Sequence, residues 1–262
     1  MTIENFYLLE SCTVQERIRH ELEIARKIQL ASLPQRQPDL KELDISGISI
    51  PALEVGGDFY DYYNGKFDNI TVVIGDVSGK GTSAALYMSK IQGILRTLHE
   101  FDLSPRELLV KTNDLLYGNL DKKAFITAIG ARINYRHKTM TISRAGHLPV
   151  YAYRHETGNT EKIIPRGLIL GLANLEQFSD NLEEIIIDFD KDDVFLLVSD
   201  GVTEAKNKNS EEYGEERLIS LLNKYGHLSS GQIRNILLES LKVFCGEREQ
   251  HDDITIVVIK IR

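Results

Sequence analysis

Four short stretches of the chain set an aspartate beside glycine or a second acid, next to strand-forming or small residues. They are Gly56-Gly57-Asp58-Phe59-Tyr60-Asp61, Ile74-Gly75-Asp76-Val77-Ser78-Gly79, Leu197-Val198-Ser199-Asp200-Gly201 and His251-Asp252-Asp253-Ile254-Thr255. A strand end puts its side chain where the core stops and a cleft can begin. A neighbouring glycine lets backbone carbonyls and water approach closely. Carboxylates gathered at one spot raise one another's pKa, and divalent cations relieve the repulsion. Donor sets made only of oxygen select Mg²⁺ or Mn²⁺ over zinc or copper. Taken singly, each aspartate serves equally well as the cap of a turn. Four in one chain shift the balance toward a cation site.

Other chemistries fit less well. In TVVIGDVSGKGTSAA, residues 71–85, an apolar run leads through a glycine-rich turn into a helix start, as in a phosphate-binding loop. That loop requires G-x-x-x-x-G-K-[ST]. Here Gly79-Lys80 is followed by Gly81, and Ile74 stands five residues before Gly79. Asp188-Phe189-Asp190-Lys191-Asp192 begins like a calcium loop but continues with Asp193 where glycine is required; it reads as a solvated turn between strands. No Cys/His cluster has zinc spacing. Cys12 and Cys245 are far apart and read as buried or idle thiols. No Ser/His/Asp set has a recognisable elbow. His147, in Ala145-Gly146-His147-Leu148-Pro149, reads as a turn-stabilising residue.

The elements that must position these acids follow from apolar periodicity. Val14, Ile18, Leu22, Ala25 and Ile28 recur at steps of three and four, which predicts a helix over 14–33, stopped by Pro34. It either packs on its own domain or serves dimerisation or signal input. Strands are expected at 43–50, 58–63 and 69–76. Asn64-Gly65 is the strongest hairpin signal between the last two, and Asp68-Asn69 competes with it. Either turn folds one strand back along the other and brings Asp58 and Asp76 near one end of a sheet. Ala84, Met88, Ile91, Leu95 and Leu98 form the stripe of a helix over 83–100. Ser104-Pro105-Arg106-Glu107 combines a cap, a first-position proline and a capping-box glutamate, starting a helix that runs to about Tyr117. Further strands are expected at 125–135, 139–146, 149–154, 183–189, 194–200 and 252–261, and further helices at 214–225 and 229–245. Blocks of strands with paired helices between them favour an α+β design with largely antiparallel sheets over a doubly wound parallel sheet.

The length of 262 residues suits one large domain, or one with a short appendage. Hydrophobic residues make up 42% and charged residues 27%, within the range of soluble globular proteins. No apolar run approaches the ~18 residues of a membrane span. The N-terminus MTIENFYLLES lacks a basic-then-apolar signal pattern, so the expectation is a cytoplasmic protein without a membrane partner. The net charge of −8 argues against a nucleic-acid partner. An anionic substrate stays open, because bound cations supply local positive charge.

Taken together and in this order, GGDFYD, GDVSGKG, SDGVTEA and DDIT resemble the type 2C metal-dependent serine/threonine phosphatases, most closely the bacterial SpoIIE/RsbU-like branch. The resemblance covers roughly residue 20 to the C-terminus. ELEIARKIQLASLP looks like the linker helix that often leads into such a domain; AGHLP and PRGLILG also resemble family segments, without an assigned chemistry. The resemblance implies a β-sandwich of two antiparallel sheets flanked by helix pairs, four layers α-β-β-α, with an N-terminal helix. Residues 1–36 would form a tail and a linker or dimerisation helix, and residues 37–262 the phosphatase domain. Two Mn²⁺ or Mg²⁺ ions are implied. Asp76 would bridge them, the Val77 carbonyl would bind one, Asp200 and Asp252 would hold the other, and Asp58 would contribute directly or through water. Asp252 rather than Asp253 aligns with the family ligand. Asp76 and Asp58 are thus the candidate catalytic residues. The glycine turn would serve to carry the chain sharply from Asp76 into the helix near Ser83, with Lys80 solvated. The implied reaction is hydrolysis of phosphoserine or phosphothreonine by metal-activated water, without a covalent intermediate. The implied substrate is a STAS-type anti-sigma-factor antagonist, and the implied biology is signalling that regulates a sigma factor. A regulatory partner or homodimer through the N-terminal helix is expected. Two rival readings are a non-catalytic module of the same fold that senses metal or a partner, and a metal-dependent nuclease, which the acidic balance disfavours.

Overall fold

Two apolar runs near the C-terminus are strands buried on both faces, as unbroken Val/Ile/Leu runs require. In β9 (Val194–Val198), Phe195 and Leu197 face one core while Val194, Leu196 and Val198 face another. In β10 (Ile254–Ile261), Val257 and Ile259 take the first side, Ile256 and Val258 the second. The first core fills the space between two sheets and continues under one helix pair, and the second lies between one sheet and the other helix pair. This computed structural model describes residues 3–66, 68–121 and 124–262, with side chains from residue 15 onward.

One sheet runs in the order β1 (Leu43–Ile50), β10, β9, β6 (Val150–Arg154), β7 (Asn159–Ile163). The other runs β2 (Phe59–Asn64), β3 (Asn69–Val77), β4 (Ile126–Asn134), β5 (Thr139–Ala145), β8 (Glu184–Asp188). Every pairing within these sheets is antiparallel. Helices α2 (Thr82–His99) and α3 (Pro105–Leu116) pack on the second sheet. Helices α6 (Gly214–Tyr225) and α7 (Ser230–Cys245) pack on the first. The expected four-layer α+β sandwich is therefore the observed one.

Local chemistry agrees closely with the helix starts. Ser104 accepts from the Glu107 amide while the Glu107 carboxylate accepts from the Ser104 amide, a complete capping box. Ala84, Met88, Ile91 and Leu95 of α2 are buried, as their spacing predicts. Between β2 and β3 neither two-residue turn forms. Asn64 pairs with Ile70, and both candidate dipeptides flank a longer loop in which Asp68 adopts φ 62°; Phe67 of this loop lies outside the described residues.

Three elements have no clear sequence signal. β7, NTEKI, is an edge strand paired only with β6 and is mostly exposed, so it lacks apolar alternation. The six residues of α4 (Leu175–Asp180) and the four of α5 (Asp200–Thr203) are too short for helical periodicity to show. Asp200 consequently opens a helical turn rather than ending a strand. The turn after Asp188 does join two strands, but it crosses between the sheets. Asp193, which follows it, is buried and pairs with Arg154 at 2.9 Å.

The N-terminal helix α1 (Ile3–Ser32) starts well before residue 14. Much of its described apolar stripe is exposed, with Ile18 at 53% and Ile28 at 68%. The contacts that dock it come from its last turns, through buried Gln29 and half-buried Leu30, and from Leu33 just after it. Val14 and Cys12 lie outside the residues whose side chains are described; Cys245 is a free, half-buried thiol. Among the described residues, no helix is long and apolar enough to cross a membrane.

Candidate metal centre

Antiparallel register brings the first two acids together. Phe59 pairs with Gly75, so Asp58, one residue before β2, falls opposite Asp76, the penultimate residue of β3. In the other sheet Ile256 pairs with Val198, which sets Asp200 just past the end of β9 and Asp252 just before β10. The two sheets present these ends on the same side of the sandwich, and all four acids lie within electrostatic reach through Asp76.

Asp58 is buried and carries a pKa well above the usual carboxylate value, through burial first and the Asp76 charge second; the hydroxyls of Ser199 and Thr255 oppose the rise. Asp76 is pushed up to about 7 by burial, then by Asp200 and Asp252; a hydrogen bond shared with Asp58 pulls the other way. Asp200 rises to about 6, through burial, then Asp252 and Glu204. Asp76 is thus the common member of two neighbouring groups, Asp58 on one side and Asp200 with Asp252 on the other. Among the described residues, no three Asp, Glu, His or Cys side chains already encircle a single ion position. The acids instead form a chain of mutually repelling neighbours.

The donor set fits divalent cations of the Mg²⁺ or Mn²⁺ class. It consists of oxygen alone, burial and neighbouring carboxylates raise Asp58, Asp76 and Asp200, and the buried Oδ2 of Asp58 has no hydrogen-bond partner. The Val77 carbonyl belongs to the same corner. A Cβ built at Gly57 would lie 2.7 Å from the Val77 oxygen, so the loop preceding Asp58 approaches that carbonyl more closely than any side chain would allow.

The adjacent acids Asp252 and Asp253 have different tasks. Asp253 is buried. Its Oδ1 accepts from the Ala52 amide at 2.8 Å and its Oδ2 from the Gly57 amide at 2.7 Å. It clamps the loop that carries Asp58 and has little capacity left for an ion. Asp252 is half-exposed, its Oδ1 accepting from the Asp253 amide and its Oδ2 paired with Lys80 at 2.9 Å. Lys80 is therefore not simply solvated, as the sequence suggested. Gly79 and Gly81 turn the chain with φ of 94° and 73°, as expected, and deliver the lysine onto Asp252.

His147 is buried in the connection between β5 and β6. Its Nδ1 stands 2.8 Å from the hydroxyl of Thr127, the register partner of Asp76. Burial pushes it down to about 4, so it is a neutral packing and hydrogen-bonding group at neutral pH. Sequence reasoning also missed Gln29. Its side-chain amide donates to the Gly56 carbonyl at 2.6 Å and its carbonyl accepts from the Gly56 amide at 3.0 Å. Glu204, the neighbour of Asp200, was missed as well, although SDGVTEA contains it. Nothing in local spacing marks Gln29, because its partner sits in a separate loop 27 residues away.

The profile of the family described as Stage II sporulation protein E (SpoIIE) matches residues 67–262. Phosphoserine phosphatase RsbU of Bacillus subtilis (strain 168) is 33% identical over 252 residues, which cover 94% of this chain and 72% of RsbU. The chain belongs to the SpoIIE/RsbU-like branch of the type 2C phosphatases. Solved structures agree on the fold of this phosphatase. The SiaA-PP2C domain of Pseudomonas aeruginosa superposes with a TM-score of 0.84 at 22% identity, over 95% of this chain and 99% of that one. RsbX in complex with magnesium superposes at 0.65 and 14% identity, over 87% of this chain and 99% of that one.

Proposed function

We propose that this serine/threonine phosphatase hydrolyses phosphoserine or phosphothreonine on a protein substrate at a centre of two Mn²⁺ or Mg²⁺ ions. The observation that carries this reading is the meeting of Asp58, Asp76, Asp200 and Asp252 from four separate segments, with Asp76 common to both groups. In this reading Asp76 would be shared by the two ions, the Val77 carbonyl would hold one, and Asp200 and Asp252 would hold the other. Asp58 contributes directly or through water. Bound there, the ions supply water activation and neutralise phosphate charge. The chain's own residues do the positioning. Asp253 holds the Asp58 loop, Ser199 and Thr255 flank Asp58, and the absence of a nucleophilic Cys or Ser motif fits direct attack of water on phosphorus.

The substrate class in this reading is a STAS-type anti-sigma-factor antagonist, encountered in the cytoplasm, with sigma-factor regulation as the output. The N-terminal helix α1 carries the input. Its exposed Ile18 and Ile28 offer an apolar face to a regulatory partner or a second copy, and its Gln29 grips Gly56, two residues from Asp58. The test is turnover of p-nitrophenyl phosphate and of phosphorylated STAS proteins with Mn²⁺, beside single-stranded DNA as the nuclease control. Wild type should act on the phosphate esters only in the presence of the cation, and Asp76→Asn should abolish turnover while keeping the fold. Full activity in that variant, or undiminished wild-type activity in excess chelator, would overturn the reading.

A further inference from the structure

Lys80 holds one of the two oxygens that Asp252 could offer to a cation. Its Nζ lies 2.9 Å from Asp252 Oδ2, and it also donates to the carbonyl of His251. The other oxygen of Asp252 accepts from the Asp253 amide. Both carboxylate oxygens are therefore engaged, and an ion can take Oδ2 at full strength only if the ammonium withdraws, because two cations on one oxygen repel. The positive charge of Lys80 also reaches Asp200, where it opposes the rise caused by burial, Asp252 and Glu204. The backbone allows withdrawal. Lys80 sits between Gly79 and Gly81, both in the left-handed region, and a Cβ at Gly79 would meet nothing within 4 Å. The Lys80 and Asp252 side chains are 38% and 35% exposed, so the released ammonium can pass directly into water.

We infer that Lys80 is a built-in counter-ion of the Asp200/Asp252 side of the centre, exchanged for a divalent cation as that cation binds. The inference rests on the metal-centre reading. It assigns the lysine a positioning role: Lys80 neutralises part of the acidic cluster without the ion, and it competes with the ion for Asp252. An ion pair as exposed as this one is worth about 0.2–1 kcal/mol. Its removal therefore strengthens cation binding by up to about fivefold. The same removal leaves the cation-free acids less compensated.

The test is calorimetric titration of Mn²⁺ into wild type, Lys80→Met and Lys80→Arg, with melting temperatures measured in chelator. Lys80→Met should bind Mn²⁺ more tightly than wild type, by up to about fivefold, and melt lower in chelator, while Lys80→Arg, which keeps the charge, stays close to wild type in both. Equal or weaker Mn²⁺ affinity in Lys80→Met would overturn the exchange and leave the centre itself standing. No Mn²⁺ binding by wild type would remove the centre and the exchange together.

Discussion

Asp76 joins Asp58 to Asp200 and Asp252, and without a cation that position is costly. Its folded-state pKa of about 7, and that of Asp200 at about 6, both lie above the ordinary 3.8. The folded state thus keeps protons that the unfolded chain releases. Stability from these groups is fully present below about pH 4 and is lost as the pH rises through about 6 to 7. The melting temperature in chelator should fall across that window, saturating Mn²⁺ should flatten the fall, and Asp76→Asn should remove part of it. A cation-free melting temperature that holds steady from pH 4 to 7 would contradict the clustering. At this scale the sequence was informative about the four ligand candidates, because strand-end acids beside glycine are a local pattern. Local spacing did not separate Asp252 from Asp253, and the choice of Asp252 came from the family resemblance alone, since the amides of Ala52 and Gly57 that occupy Asp253 arrive from far along the chain. Lys80 looked solvated for the same reason: Asp252 is distant in sequence and reaches it only through the fold.

The element that links surface to centre is α1. Gln29 makes a two-point hydrogen bond to Gly56, and Ser32 bonds to Gln92 of α2 at 2.9 Å, so the last turns of α1 touch both the Asp58 loop and the helix that follows Asp76. Gln29→Ala leaves the buried amide and carbonyl of Gly56 without partners, a cost of about 1–3 kcal/mol. Activity should therefore drop together with the melting temperature in that variant. Deleting residues 1–33 should change basal activity or oligomeric state; if neither moves, α1 only packs. The helix itself was legible from its period, but its role was not, since periodicity reports an apolar face without saying what covers it. The long amphipathic helices and the capping box at Ser104 were equally legible. β7, α4 and α5 were not, being too short, or too exposed at a sheet edge, for apolar spacing to register.

For the whole molecule, the α+β class was readable from the order of strand blocks and helix pairs. The sheet order was not. β10, at the C-terminus, inserts between β1 and β9, and such distant pairings leave no local trace. That insertion is what builds the site, because it carries Asp252 to Asp200 and carries Asp253 under the Asp58 loop. Cations that bind only the folded state must then stabilise the entire sandwich, by about 2.7 kcal/mol at a hundredfold excess over the dissociation constant. The most direct measurement is an anomalous difference map from a crystal of the wild-type protein soaked in Mn²⁺. Two peaks flanking the Asp76 carboxylate, one beside the Val77 carbonyl and one beside Asp200 and Asp252, are the expected result. A map with no peak at Asp76, or with manganese only elsewhere on the surface, would contradict the binuclear centre.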